Sequence, residues 1–386
     1  MPFIFYKLKE DGYRTAYFED MPWIGTFQYR FKGFRKQPAD HYLRSFYLEE
    51  SSRGSLWKFK DTRYCVGATP RFKLMMNLTD QFLRLDGKRF CFTFIADITH
   101  DDFNVIGAAD NATVDFLRTF KEAGRMKDTL LFVMGDHGAR YAQVRSTLQG
   151  KFEERLPLMA IVLPEDLKKK RPNAQAALEI NADALTTPHD IYATVLDALD
   201  WRKHWNDFKI PGADLRRGLS LLEPVPRNRS CSEAGIEPHW CACLTWENVP
   251  ENDPLYKRVA EELVRYINQL TEKQRSLCTP RTLTSIDWVM KQLPNKNMMS
   301  FVASKDADGY VGKFGGKVDV QKEVYQVKIV VGPGVGVYEA SLTYLKKENK
   351  FEVNYRDISR TNAYNDEPHC ISAQHPHLNM YCYCND

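Results

Sequence analysis

Three short, almost uninterrupted apolar runs constrain what this chain can fold into more than any other feature. They are Phe90-Cys-Phe-Thr-Phe-Ile-Ala96, Thr129-Leu-Leu-Phe-Val-Met134 and Leu158-Met-Ala-Ile-Val-Leu163, each halted by a polar or turn-forming residue. Runs of this length without polar alternation suit strands covered on both faces, as in a parallel sheet. Tyr13–Phe18 is a shorter β-prone run, closed by Glu19, Asp20 and Pro22. Helical patterns separate these runs. Val114, Leu117, Phe120 and Ala123 form a stripe at threefold spacing before Gly124, and Thr187-Pro-His-Asp190 has the cap, proline and box acid of a helix start. The stripe expected after that start is Ile191, Val195 and Leu199. Alternating strands and helices imply an α/β sheet flanked by helices.

The chain changes character beyond residue 222. Residues 1–222 read as the α/β domain, and 223–386 as a cysteine-rich region with a helix over 256–271 and antiparallel strands over about 324–358. The helix is marked by Tyr256, Val259, Ala260, Leu263, Tyr266, Ile267 and Leu270 at i, i+3, i+4, i+7 spacing, a pattern that core packing explains. Tyr338, Ala340, Leu342 and Tyr344 alternate with polar residues, as do Phe351, Val353 and Tyr355, so a hairpin with one wet face is expected around Lys346–Lys350. Gly332-Pro-Gly-Val-Gly336 reads as a turn and not a phosphate loop, because no helix follows it.

Seven of nine cysteines lie after position 230: Cys231, Cys241, Cys243, Cys278, Cys370, Cys382 and Cys384. The Cys-x-Cys pairs do not have the usual zinc spacing, so disulfides are expected, with one thiol left over. Asn77, Asn111 and Asn228 head N-glycosylation acceptor triplets. Together these features point to an extracellular or secretory-pathway protein. The stretch from Met1 to Lys9 has no signal-peptide character, and no apolar run approaches the roughly 20 residues of a membrane helix. The net charge of +4 and the short basic runs Lys168–Lys170 and Lys346–Lys347 give no footprint for nucleic acid; a solvated face accounts for them.

The stretch Leu131-Phe-Val-Met-Gly-Asp-His-Gly-Ala-Arg140 carries the candidate chemistry. Neighbouring side chains on a strand point to opposite faces, so Asp136 and His137 share an ion only if a turn intervenes, and Gly135 and Gly138 supply the freedom for one. The pair then falls at the carboxyl end of a strand, where open α/β sheets bind their ligands. Carboxylate oxygen with imidazole nitrogen suits zinc or manganese, and less selectively calcium or magnesium. A loop Asp that merely orients a loop His is the alternative, and the residues alone leave both open.

Val-Met-Gly-Asp-His-Gly after a hydrophobic strand resembles the metal-binding Asp-His of the alkaline phosphatase superfamily, which includes the sulfatases. More closely, the chain is similar to a secreted, sulfatase-like animal family catalogued as domain of unknown function 229. The resemblance rests on Gly12-Tyr-Arg-Thr with Glu19-Asp20, Gly25-Thr-Phe to Asp40-His-Tyr-Leu-Arg44, and Thr99-His-Asp-Asp102. It continues through Gly135–Arg140, Glu153-Glu-Arg-Leu-Pro157, Leu185–Asp190, Arg217–Leu222 and Cys231–Cys243. It implies a mixed sheet flanked by helices, and hydrolysis or transfer of phosphate or sulfate esters. Asp136 and His137 would ligate the metal, His100 would assist the leaving group, and Arg140 would pair with an anionic ester or glycan. Asp97 stands one residue too near His100 for the phosphatase Asp-x-x-x-His pair, and His189, in a helix's first turn, reads as structural. The first acidic metal ligand and the nucleophile of the superfamily have no counterpart here, Glu19 and Asp20 being poor substitutes. The expectation is an N-terminally truncated domain without efficient turnover; a non-catalytic secreted binding protein, or an incomplete fragment of a longer one, is the rival.

Overall fold

The computed structural model describes residues 3–28, 31–52, 64–100, 103–140, 143–201, 207–293, 301–304, 312–314 and 322–385. The chain divides into two compact units: Met1–Gly135 with Leu158–Ala176, and Asp136–Pro157 with Ala177–Asp386. It is a mixed α/β protein.

In the first unit β1 (Arg14–Glu19) runs parallel between β2 (His41–Tyr42) and β3 (Arg89–Phe94). Every residue of β1 after Arg14 is buried, because its alternating side chains enter two different layers. Ala16 and Phe18 meet Tyr47 together with Met75 and Phe82 of helix α1 (Arg71–Leu83). Tyr17 points the other way, into Phe5, Ala39, Phe90 and Phe92. Helix α2 (Asp110–Glu122) ends at Gly124, whose φ of +72° is the left-handed stop expected there. Its buried face differs from the threefold stripe: Val114 and Ala123 are exposed, and Phe120 is buried with Phe116 stacked on it. Steps of three advance about 300° around a helix, so such a stripe slides off any one face.

The last two apolar runs form β4 (Leu131–Met134) and β5 (Met159–Val162), but they pair with each other and antiparallel. The chain leaves at Gly135 and returns at Leu158, where Gly135 N–H donates to the Leu158 carbonyl at 3.0 Å. A strand that starts beside the end of its neighbour must run opposite to it. The pair is also only half covered, with Leu158 68% exposed, so the two-sided burial expected of these runs is not met.

The second unit is built on a five-stranded antiparallel sheet. Its strands are β6 (Trp246–Asn248), β7 (Thr282–Gln292), β8 (Lys322–Gly332), β9 (Gly336–Leu345) and β10 (Lys350–Arg360), in the spatial order β10-β9-β8-β7-β6. Helix α3 (Leu148–Arg155), helix α4 (Pro188–Ala198), the single turn α5 (Cys231–Ala234) and the long helix α6 (Pro254–Leu270) belong to the same unit. Asp253 caps α6 by accepting from Leu255 N–H at 2.8 Å. Val259, Ala260, Leu263 and Ile267 of α6 bury against Val289, Val327, Ile329, Tyr338 and Leu342. Gly332–Gly336 is the β8–β9 turn, and Cys278–Cys382 and Cys370–Cys384 fasten the C-terminal end to this core.

Two packing expectations change here. The Thr187–Asp190 capping box is present, yet α4 buries Asp190, Thr194 and Asp197 along with Leu196, while Ile191, Val195 and Leu199 are half-buried. The polar residues are buried because the returning segment bonds to them: Leu219 N–H to Asp190, Leu221 N–H to Thr194, and Ser220 Oγ to Asp197, at 2.7, 2.8 and 2.7 Å. The other change concerns β9. Tyr338, Ala340 and Leu342 face the core as their alternation requires, but the opposite face is dry too, with Glu339 fully buried and Ser341 nearly so.

Candidate functional site

The Asp136–Arg140 turn follows β4 and opens the excursion Asp136–Pro157 of the second unit. His137 N–H donates to Asp136 Oδ1 at 2.9 Å, which folds the carboxylate back over its neighbour. As a result Asp136 Oδ2 and His137 Nε2 lie 3.5 Å apart on the same side. His137 Nδ1 is 2.7 Å from the Gly138 carbonyl, and Arg140 Nη2 is 2.8 Å from Nε2. A carbonyl only accepts and a guanidinium only donates, so this arrangement puts the ring proton on Nδ1 and a lone pair on Nε2. That is the tautomer a metal-binding imidazole presents, with its other nitrogen tied to a backbone acceptor. Both side chains are open to solvent, 54% for Asp136 and 37% for His137.

Gly138 is required here by contact and not by backbone freedom, since neither it nor Gly135 has a positive φ. A Cβ on Gly138 would run into the backbone of Glu153 and Glu154, and Gly138 N–H donates to the Glu154 carbonyl at 3.1 Å. The turn is therefore seated directly on α3.

Ligand oxygens and nitrogens held at about 2.0–2.2 Å by a tetrahedral ion lie roughly 3.4 Å from one another. The 3.5 Å separation of Oδ2 and Nε2 fits a shared cation of this kind, provided the ion displaces Arg140 from the Nε2 lone pair that it now occupies. Among the described residues no third carboxylate, imidazole or thiol joins the pair within ligand reach. The donors amount to half a coordination shell.

His100 belongs to the first unit. It is exposed on the turn after β3, where its N–H donates to the Ala96 carbonyl at 2.9 Å. Asp101 and Asp102 lie outside the described residues. The turn is held from beneath by Asp20, whose carboxylate accepts the N–H groups of Ala96 at 2.9 Å and Asp97 at 3.3 Å. Burial pushes the Asp20 carboxyl up to about 6, against the pull of those bonds. Arg71 lies at the same place: it donates to the Asp20 carbonyl and pairs with Glu50 at 3.2 Å and Asp97 at 3.4 Å. Asp97 is thus engaged with a guanidinium. His189, in the first turn of α4, is exposed, and partial desolvation of its ring lowers its pKa.

A charged cluster that residue patterning did not single out anchors α3 to the sheet. Glu339 on β9 is bound by Arg145 at 2.7 Å, Lys151 at 3.2 Å and Arg155 at 3.0 Å. Arg145 also pairs with Glu154, and Lys151 with Gln326 on β8. Burial opposes ionisation of Glu339, but the three cations outweigh it and hold the carboxyl far below the usual range. His239 completes the cluster, its ring nitrogens each 3.0 Å from the hydroxyls of Ser341 and Ser359. Burial drives its pKa down to about 3. The available signal was the basic residue at every fourth or sixth position from Arg145 to Arg155, which needed a buried acid that only the tertiary fold reveals.

Six of the seven late cysteines form disulfides, Cys231–Cys241, Cys278–Cys382 and Cys370–Cys384, and Cys243 is free and exposed. This matches the disulfide expectation but not the single leftover thiol, because Cys65 and Cys91 are free as well, each too far from a partner sulfur to be bonded. Asn77, Asn111 and Asn228 are all exposed. Among the described residues no helix is long and apolar enough to cross a membrane.

These features define a mixed α/β protein with a disulfide-bonded antiparallel region and an open Asp-His turn. The family described as "Protein of unknown function (DUF229)" matches residues 1–287, and the chain belongs to that family. No curated protein and no solved structure matches it.

Proposed function

We propose that this chain is a secreted, metal-binding protein of the alkaline-phosphatase and sulfatase type, whose Asp136 and His137 hold a divalent cation, zinc or manganese. The observation that carries the reading is the 3.5 Å convergence of Asp136 Oδ2 and His137 Nε2, with Nδ1 tied to the Gly138 carbonyl. Arg140, which donates to His137 Nε2 in the metal-free turn, is displaced from that nitrogen by the ion and is then free to pair with an oxygen of a phosphate or sulfate ester through its planar fork. When bound, the cation supplies Lewis-acid polarisation of the ester oxygen. For His100, which belongs to the other unit, the role of proton donor to the leaving group rests only on the resemblance and on the suitability of an exposed imidazole for it. Three disulfides and three exposed acceptor asparagines support an extracellular or secretory-pathway location.

Two protein donors hold an ion loosely, so the chain binds metal and anion without efficient turnover. The test is hydrolysis of nitrophenyl phosphate and nitrophenyl sulfate with zinc or manganese present, alongside retention of the same anions on the protein. Anion retention that needs metal and Arg140, with turnover near the buffer rate, supports the reading. Rapid turnover that survives Arg140→Ala and His100→Ala contradicts the assigned roles. Retention indifferent to metal favours the non-catalytic binding protein.

A further inference from the structure

The Sγ atoms of Cys231, Cys241 and Cys243 all lie within 4.8 Å of one another. Two of them form a disulfide, and the third is an exposed free thiol. Cys231 and Cys241 are nearly closed to solvent, at 9% and 3%. Cys243 is thus the point of entry, standing against a bond that external reagents reach poorly. We infer that Cys231, Cys241 and Cys243 form a thiol–disulfide exchange site, in which Cys243 attacks the Cys231–Cys241 bond and the thiol passes inward.

The step balances without an outside oxidant. The Cys243 thiolate adds to the Cys231 sulfur, the Cys231–Cys241 bond breaks, and Cys241 leaves as the thiolate and takes up a proton. One disulfide and one thiol exist before and after. Attack at Cys231 is favoured over attack at Cys241, because joining Cys241 to Cys243 closes a ring across the single residue Ala242. The chemical partners of such a site are small thiols and disulfides, which enter at Cys243.

The site is coupled to the charged cluster through the loop it staples. Cys231 starts α5 behind a Ser230–Glu233 capping box, and Cys241 follows His239, whose ring sits between Ser341 and Ser359. The His239 carbonyl accepts from Gln326 Nε2 at 3.3 Å. Moving the bond from Cys241 to Cys243 shifts the staple past His239 by two residues.

The test uses the full, non-reduced chain. Exchange is quenched with acid and the chain is unfolded in urea, so that burial does not decide the label. Free thiols are blocked with excess iodoacetamide as the pH is raised, the disulfides are then reduced, and the released thiols are marked with N-ethylmaleimide. All three cysteines fall in the tryptic peptide Ser230–Lys257, so tandem mass spectrometry assigns each label to a position. The inference expects one iodoacetamide group per peptide, shared between Cys243 and Cys241. Label confined to Cys243 overturns it. Cys241→Ser gives an independent reading: formation of a Cys231–Cys243 bond leaves that peptide without iodoacetamide label, whereas two labels contradict the inference.

Discussion

Arg145 and Glu339 meet at 2.7 Å across 194 positions of sequence, both of them buried. Arg145 precedes α3, Glu339 sits in the middle of β9, and Lys151 and Arg155 close on the same carboxylate. This contact fastens the excursion that starts with Asp136 to the core sheet of its unit. The position of the Asp-His turn follows from it, because Gly138 bonds to the end of α3.

Replacing Glu339 by Gln keeps its shape and removes the charge that three buried cations share. Breaking such a pair from one side costs about 3–5 kcal/mol. Urea unfolding of Glu339→Gln should show a loss in that range. A change within experimental error would mean the cluster is solvated and not structural.

His239 sets a pH dependence of definite sign. Its folded-state pKa, about 3, lies below the ordinary value of 6.5, so the unfolded chain binds the extra proton. The stability it contributes is complete above pH 6.5 and is lost as pH falls toward 3, on the order of 5 kcal/mol in total. The difference in unfolding free energy between the wild type and His239→Gln should shrink across that window. A constant difference would show that the ring remains hydrated.

Asp20 has the opposite sign. Burial raises its folded pKa from 3.8 to about 6, so its contribution is complete below 3.8 and is lost as pH rises through 6. Asp20→Asn should therefore remove a fall in stability of about 3 kcal/mol over that interval. An unchanged slope would place the carboxylate in contact with water.

The disulfides should differ by loop length. Cys278–Cys382 spans 104 positions and Cys370–Cys384 spans 14. On the loop-entropy account, the double Ser variant of the longer pair should lose about 2 kcal/mol more. Equal losses, read from denaturant midpoints, would make residual order in the unfolded chain the larger effect.

How far the fold can be read from residues depends on whether the cause is local. The Thr187–Asp190 cap, the Gly124 stop and the apolar face of α6 follow from neighbouring residues, and they stand as expected. The direction of β5 does not, because Leu158–Leu163 reads the same in a parallel or an antiparallel pair; the return of the chain to Gly135 decides it. Alternation along β9 identified its apolar face and assigned Glu339 to water. Only the arrival of α3 on that face makes the acid a buried partner. For the candidate site, adjacency brought Asp136 and His137 to notice, whereas the tautomer, the seat on α3 and the contact with Arg140 needed coordinates.

Whether Asp136 and His137 share one cation is decided by calorimetric titration of zinc into the non-reduced chain, its Asp136→Ala variant and its His137→Ala variant. One ion should bind per wild-type chain, with affinity weakened roughly tenfold or more in each variant. Absence of binding to the wild type, or equal affinity in all three proteins, would contradict a shared cation.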